Sequence, residues 1–157
     1  MAATFHHGPE VIEHKDGVTV VRDVKSAVTY VNGTAPIQDV HATALAREDY
    51  INKRVIIRSR AEGAAAFGAH KAGYTIPAAL DAIFDQGDGG TIIVNNVFDP
   101  DVHKEGANPD PSKVTTVDIN GTISPAGLAS GFSGAYECYN NFGYFPKLII
   151  APGYSPA

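Results

Sequence analysis

Three short, unbroken apolar runs decide most of what this chain can become: Val55-Ile56-Ile57, Ile92-Ile93-Val94 and Leu148-Ile149-Ile150. Runs of this length without polar alternation belong to strands covered on both faces, as in sheets that carry helices. Between the first two lies the clearest helix signal, residues 76–86. There Ile76, Ala79, Leu80, Ile83 and Phe84 form one apolar stripe at helical spacing. Thr75 stands at the N-cap position, Pro77 is tolerated in the first turn, and Gly87 supplies a stop. A weaker helix over 60–67 rests on Ala64, Ala65 and Ala66, with Gly63 and Gly68 working against it. Strand, helices, strand reads as a right-handed crossover unit. The expected fold class is α/β, in a mixed α+β arrangement: a small sheet with a strand-helix-strand crossover.

Ahead of this unit, residues 1–17 are polar and broken by Gly8, Pro9 and Gly17, with Val11 and Ile12 their one apolar pair. No core can form from such a stretch, so it reads as an extended N-terminal arm. Residues 18–21 and 24–31 are then rich in β-branched and aromatic side chains. In the second run Val24, Ser26, Val28 and Tyr30 share one strand face, and Lys25, Ala27, Thr29 and Val31 share the other. Neither face is strongly polar, and Asn32-Gly33-Thr34-Ala35-Pro36 ends the run with turn residues. Two readings stand for this region. It forms a hairpin on its own domain, or it adds as a strand to the sheet edge of another chain.

Downstream, residues 99–113 read as a loop, and 114–119 read as a strand leading into a hairpin turn at Asn120-Gly121. From 127 to 142, Leu128, Phe132, Ala135, Tyr136 and Tyr139 trace a helical stripe despite Gly131 and Gly134. The strand at 147–151 either joins the preceding sheet or opens a further α/β unit of a longer chain.

Composition narrows the function. With 12 basic and 17 acidic residues the net charge is −5, against the basic patch that a nucleic-acid binder needs. No stretch approaches the 18 or so apolar residues of a membrane helix. The single Cys138 excludes an internal disulfide and fits a reducing compartment. Charged residues make up 18% of the chain, and Gly and Pro number 16 and 10, so many turns and surfaces that do not all face water are expected.

Motifs for chemistry are sparse. In the loop 99–105, Asp99, Asp101 and His103 alternate, and an extended backbone would set them on one face for a hard cation. The plainer reading is an exposed acidic turn. The run Gly68 to Thr75 lacks the order of a phosphate loop, because Lys71 precedes Gly73. Ser130-Gly131-Phe132-Ser133-Gly134 keeps only part of a nucleophile elbow. His6 and His7 lie in the arm with no carboxylate fixed nearby, and Cys138 reads as a buried, inert thiol. The expectation is a non-enzyme without catalytic, metal or cofactor residues.

Several segments in order carry a resemblance. They are the opening His6-His7-Gly8-Pro9-Glu10-Val11, the run Val24 to Pro36 ending in Gly33-Thr34-Ala35-Pro36, and Tyr74 to Gly87. Ile92 to Pro100 follows, with Asn95-Asn96-Val97-Phe98-Asp99, and then Phe145 to Ser155. On these the chain resembles the N-terminal portion of a bacteriophage contractile-tail sheath protein. The resemblance implies a structural subunit that stacks in hexameric rings around the tail tube and contracts to drive the tube through the host envelope. It implies an inter-subunit arm, residues 1–35 with its root strand, in which Val11, Ile12, Val18, Val20, Val21, Val24, Val28 and Tyr30 face neighbours. The implied partners are copies of itself and the tail tube protein, with no nucleic acid, membrane or small-molecule substrate. The implied location is the virion tail sheath, assembled in the host cytoplasm. The remaining organisation is a small α/β domain over 36–120 and the start of a second α/β unit over 121–157. Sheath proteins of this kind are much longer, so the chain resembles a fragment. Two other expectations compete: a metal- or small-molecule-binding α/β domain using the 99–105 loop, and an unrelated adaptor that donates a strand.

Overall fold

A computed structural model describes residues 27–87 and 90–154. Its elements in chain order are β1 (Val28–Gly33), α1 (Ala44–Arg47), β2 (Arg54–Ile57), α2 (Arg60–Phe67), α3 (Ile76–Asp85) and β3 (Thr91–Asn96). After these come the two-residue strands β4 (Lys104–Glu105) and β5 (Asn108–Pro109), then α4 (Thr116–Asn120), α5 (Cys138–Phe142) and β6 (Leu148–Ile150). A 3₁₀ segment, Gly131–Glu137, runs directly into α5. The result is the expected mixed α/β fold, with a four-stranded sheet ordered β2-β3-β1-β6. The strand at 147–151 joins this same sheet.

β1 lies parallel to both of its neighbours, with Val28 opposite Thr91 on one side and Thr29 opposite Leu148 on the other. β2, by contrast, runs antiparallel to β3, pairing Arg54 with Asn95 and Ile57 with Ile92. The crossover unit expected between these two strands is therefore corrected. The connection holds two helices in series, and they reverse on each other. Arg60 at the start of α2 pairs with Asp85 at the end of α3, and Gly63 approaches Leu80. Two reversals return the chain to the end of the sheet where β2 finished, so β3 must run back along it. The parallel pair that needs a crossover is β1 and β3.

Alternation along the strands divides the core between two faces. Val31, Ile57, Ile92 and Val94 pack with Phe67, Ile76 and Leu80 under α2 and α3. Val28, Tyr30 and Ile93 pack with Ala135 and Cys138 on the other face. Beyond the carboxyl ends of β1 and β3, Tyr74, Val97, Phe98, Val114 and Ile119 close a third cluster. Thr75 does occupy the N-cap position of α3, but its side chain makes no capping bond. Its Oγ1 accepts instead from the backbone N–H of Thr34 at 3.1 Å, tying the helix start to the end of β1.

Two other expectations are corrected by local chemistry. Residues 114–119 form no strand, and Asn120-Gly121 makes no hairpin. Thr115 accepts from the Asp118 backbone while Asp118 reaches back to the Thr115 N–H at 2.8 Å, a capping box that starts α4. Gly121 ends the helix with φ of +67°. A Cβ on Gly121 would stand 2.0 Å from the Ser130 carbonyl, and one on Gly131 would stand 2.4 Å from that of Ile119. The glycines thus let two backbone segments touch. The helical stripe over 127–142 is corrected as well, because Gly131–Glu137 winds as 3₁₀ with three residues per turn. Leu128 before this segment, Tyr136 within it and Tyr139 in α5 are exposed, while Ala135 and Cys138 point inward.

Buried asparagines finish the sheet where its strands end. Asn32 Nδ2 donates to Ile119 O at 2.8 Å, and Asn95 Nδ2 donates to Asn32 Oδ1 at 2.8 Å. Asn96 Oδ1 accepts from Ala35 N at 2.9 Å and Phe98 N at 3.1 Å, and its Nδ2 donates to Phe98 O and Tyr50 O. One amide thus satisfies four backbone groups, three of the bonds buried and the one to Tyr50 O partly so. Asn96→Ala is expected to cost roughly 3 kcal/mol, since each buried orphan costs about 1–3 kcal/mol. A fall in the urea midpoint of that size checks it, and an unchanged midpoint contradicts it.

Candidate assembly surface

The two sheet edges are built differently. At the β2 edge, Arg54 Nη1 donates to Asn52 O at 2.8 Å and to Ala129 O at 2.9 Å, and its Nη2 pairs with Glu137. Glu137 Oε1 in turn accepts from Ala129 N at 3.3 Å. These bonds hold residues 129–137 beside the strand, and flanking Lys53 and Arg58 place charge along it. Charge on an edge strand discourages pairing with foreign strands.

At the β6 edge Lys147 stands at the start of the strand, but no clamp like that of Arg54 and Glu137 is present among the described residues. Leu148 is 56% exposed and Ile149 49% exposed, although both belong to an all-apolar strand. Ile149 shares the face of Tyr30, while Leu148 and Ile150 share the face of Thr29 and Val31. On the first face Tyr139 and Phe145 stack with ring centroids 5.1 Å apart, both largely exposed. On the second, a groove of about 440 Å³ runs along the strand between Ala27, Thr29, Ala82, Ile83, Leu148 and Ile150. An uncovered strand with apolar surface on both sides has the character of a docking edge.

Of the arm residues expected from the sequence, Val28 and Tyr30 lie in β1, the third strand of the four-stranded order, buried in the chain's own core. Val11, Ile12, Val18, Val20, Val21 and Val24 lie outside the described residues. The sequence reading missed the exposed edge because it treated 147–151 as a covered strand. A signal was present: Pro146 and Pro152 bracket β6, and prolines crowd edge strands rather than central ones.

The 99–105 loop does not form the extended cation face considered from the sequence. It closes as a turn. Asp99 Oδ1 accepts from Asp101 N at 2.8 Å, and the Asp101 carboxylate is taken by Arg47 at 2.8 Å. His103 Nδ1 accepts from Asp99 N at 3.0 Å, and its ring stacks on Phe98. Among the described residues no group of three or more His, Cys, Asp or Glu side chains is placed to hold a metal. Nearby, burial works against the charge on Asp118. Hydrogen bonds from Thr115 and the neighbouring His103 nevertheless hold its carboxyl below the usual range.

Two weak acids are buried in the face beneath the 3₁₀ segment. Tyr30 donates its hydroxyl to Gly131 O at 2.8 Å, and burial pushes the phenol well above its ordinary value. Cys138 is fully buried, its thiol set 3.7 Å from Gly134 O, and burial pushes it up to about 11. Both are therefore neutral in the folded chain and ionise more readily when unfolded. The unfolded state binds fewer protons above the ordinary thiol value of 9.0, so stability is full below that pH and falls as pH rises. The urea midpoint should decline from about pH 9 upward, first through Cys138 and then through Tyr30. Cys138→Ala should hold it level until about pH 10. Identical profiles for the two proteins would contradict this.

The chain was compared with known proteins. No protein-family model matches it, and no solved structure matches it. It is 32% identical to the tail sheath protein of Burkholderia phage BcepMu, in an alignment covering 98% of this chain and 44% of the relative. The chain thus spans less than half the length of the curated relative it matches. Over nearly all of its own length this chain resembles a phage tail sheath protein, in a manner consistent with the N-terminal portion of one.

Proposed function

We propose that this chain is the N-terminal part of a structural subunit of a contractile phage tail sheath. The observation that carries the reading is its 32% identity to a tail sheath protein across nearly its whole length. In this reading the subunits stack as hexameric rings around the tail tube, and sheath contraction drives the tube through the host envelope. The partners are neighbouring copies of the subunit and the tube protein, and the protein resides in the virion tail after assembly in the host cytoplasm. It works by association and not by catalysis.

Residues 1–35 act as the arm and its root, linking neighbours by strand exchange. Val11, Ile12, Val18, Val20, Val21 and Val24 supply the side chains of the donated part. Val28 and Tyr30 anchor the arm, because a strand hydrogen-bonded on both sides transmits a pull on the arm to the whole sheet. The low charged fraction, 18%, suits a subunit whose surfaces meet copies of itself.

The test is a deletion. Removing residues 2–20 from the gene product that carries this sequence should leave folded subunits that form no stable tubes in electron micrographs. Tubes of normal length that still contract would overturn the arm assignment.

A further inference from the structure

The outer edge of β6 and the preceding chain stand next to each other. Lys147, which leads into β6, donates its backbone N–H to Val28 O at 2.8 Å. Ala27, the residue at which the described structure begins, itself lines the groove beside Leu148 and Ile150. Ala27 thus stands at the foot of the β6 edge, which among the described residues has Lys147 at its start and no covering segment.

Those residues contain one dense β-branched run, Val18-Thr19-Val20-Val21, separated from Ala27 by the five residues 22–26. Fully extended, five residues reach roughly 17 Å. A strand added outside β6 would lie two strand spacings from β1, about 9.6 Å away. The connection is long enough to pass beneath β6 and place the run along its far side, antiparallel to it. Alternation then sets Val18 and Val20 on one face and Thr19 and Val21 on the other. The more apolar pair matches the groove that holds Leu148 and Ile150.

We propose that in the free subunit the run Val18–Val21 adds to its own chain as a fifth strand, capping the outer edge of β6. The chain's own run is favoured over that of a second copy by proximity. A short tether gives it an effective concentration of the order of millimolar, well above that of a dilute subunit. The inference rests on the reading of residues 1–35 as a donated arm. The same strand that caps the edge at home is released to a neighbour on assembly, as in domain swapping. The free subunit is thereby kept from pairing edge to edge before its turn.

Hydrogen–deuterium exchange on the intact chain tests this. With the run docked, outward-facing backbone amides of Leu148–Ile150 exchange slowly. In a Val18→Asp/Val20→Asp variant they should exchange at least ten times faster with the thermal midpoint unchanged. Equal exchange in the two proteins overturns the docking. Protection that grows as the chain is raised from about 1 to 100 µM overturns it too, because a second copy would then supply the strand. If protection is absent yet deletion of residues 2–20 still abolishes tubes, only this docking falls. If protection is present and the deletion leaves tubes intact, the docking stands and the donated-arm reading falls.

Discussion

β1 is buried at every residue but Thr29, which borders the groove beside β6, and is hydrogen-bonded along both edges; the rest of the molecule is arranged to meet that condition. Val31 faces the α2 and α3 layer, and Val28 and Tyr30 face the 3₁₀ segment and α5. Its backbone groups have no solvent to turn to, so β3 and β6 must both be present. β6 comes from the far end of the chain, with Leu148 opposite Thr29. The pairing therefore closes the described fold over more than one hundred residues. The asparagines at the strand ends extend the same accounting past Gly33, where regular pairing stops.

Satisfying β1 with a short, late strand moves the problem of the open edge outward to β6. The opposite edge is settled within the chain by Arg54, Glu137 and the segment 129–137. The β6 edge is left apolar, with the Tyr139–Phe145 stack on one side and the groove on the other. A protein that lived as a lone monomer would pay for such an edge in aggregation.

How much was legible in the sequence varies with the range of the forces involved. The helix stripe from Ile76 to Phe84 and the apolar runs at 55–57, 92–94 and 148–150 are local patterns, and all four became the elements they signalled. The capping box at Thr115 and Asp118 was legible too, but β-branched Val114, Thr115, Thr116 and Val117 resemble a strand, and a few hydrogen bonds outweighed propensity. The stripe at 127–142 has helical spacing, yet Gly131 must sit against Ile119, and that contact set the winding. Of the assembly surface, the run of apolar residues at 148–150 was visible. Its exposure was not, because exposure depends on which strand sits outside which.

The sequence by itself determined the elements with strong local patterns, β2, α3, β3 and β6, and the resemblance to sheath proteins, since both depend on residue types in order along the chain. It also determined the absence of a disulfide within the chain and of a basic, nucleic-acid-binding composition. Strand direction and sheet order were decided only in three dimensions. β2 runs against β3 because two helices reverse on each other between them. Among the described residues the uncovered edge falls at β6 because β1, flanked by β3 on one side, takes its other partner from the far end of the chain. Periodicity records which face of an element is buried, and it is silent on which neighbour does the burying.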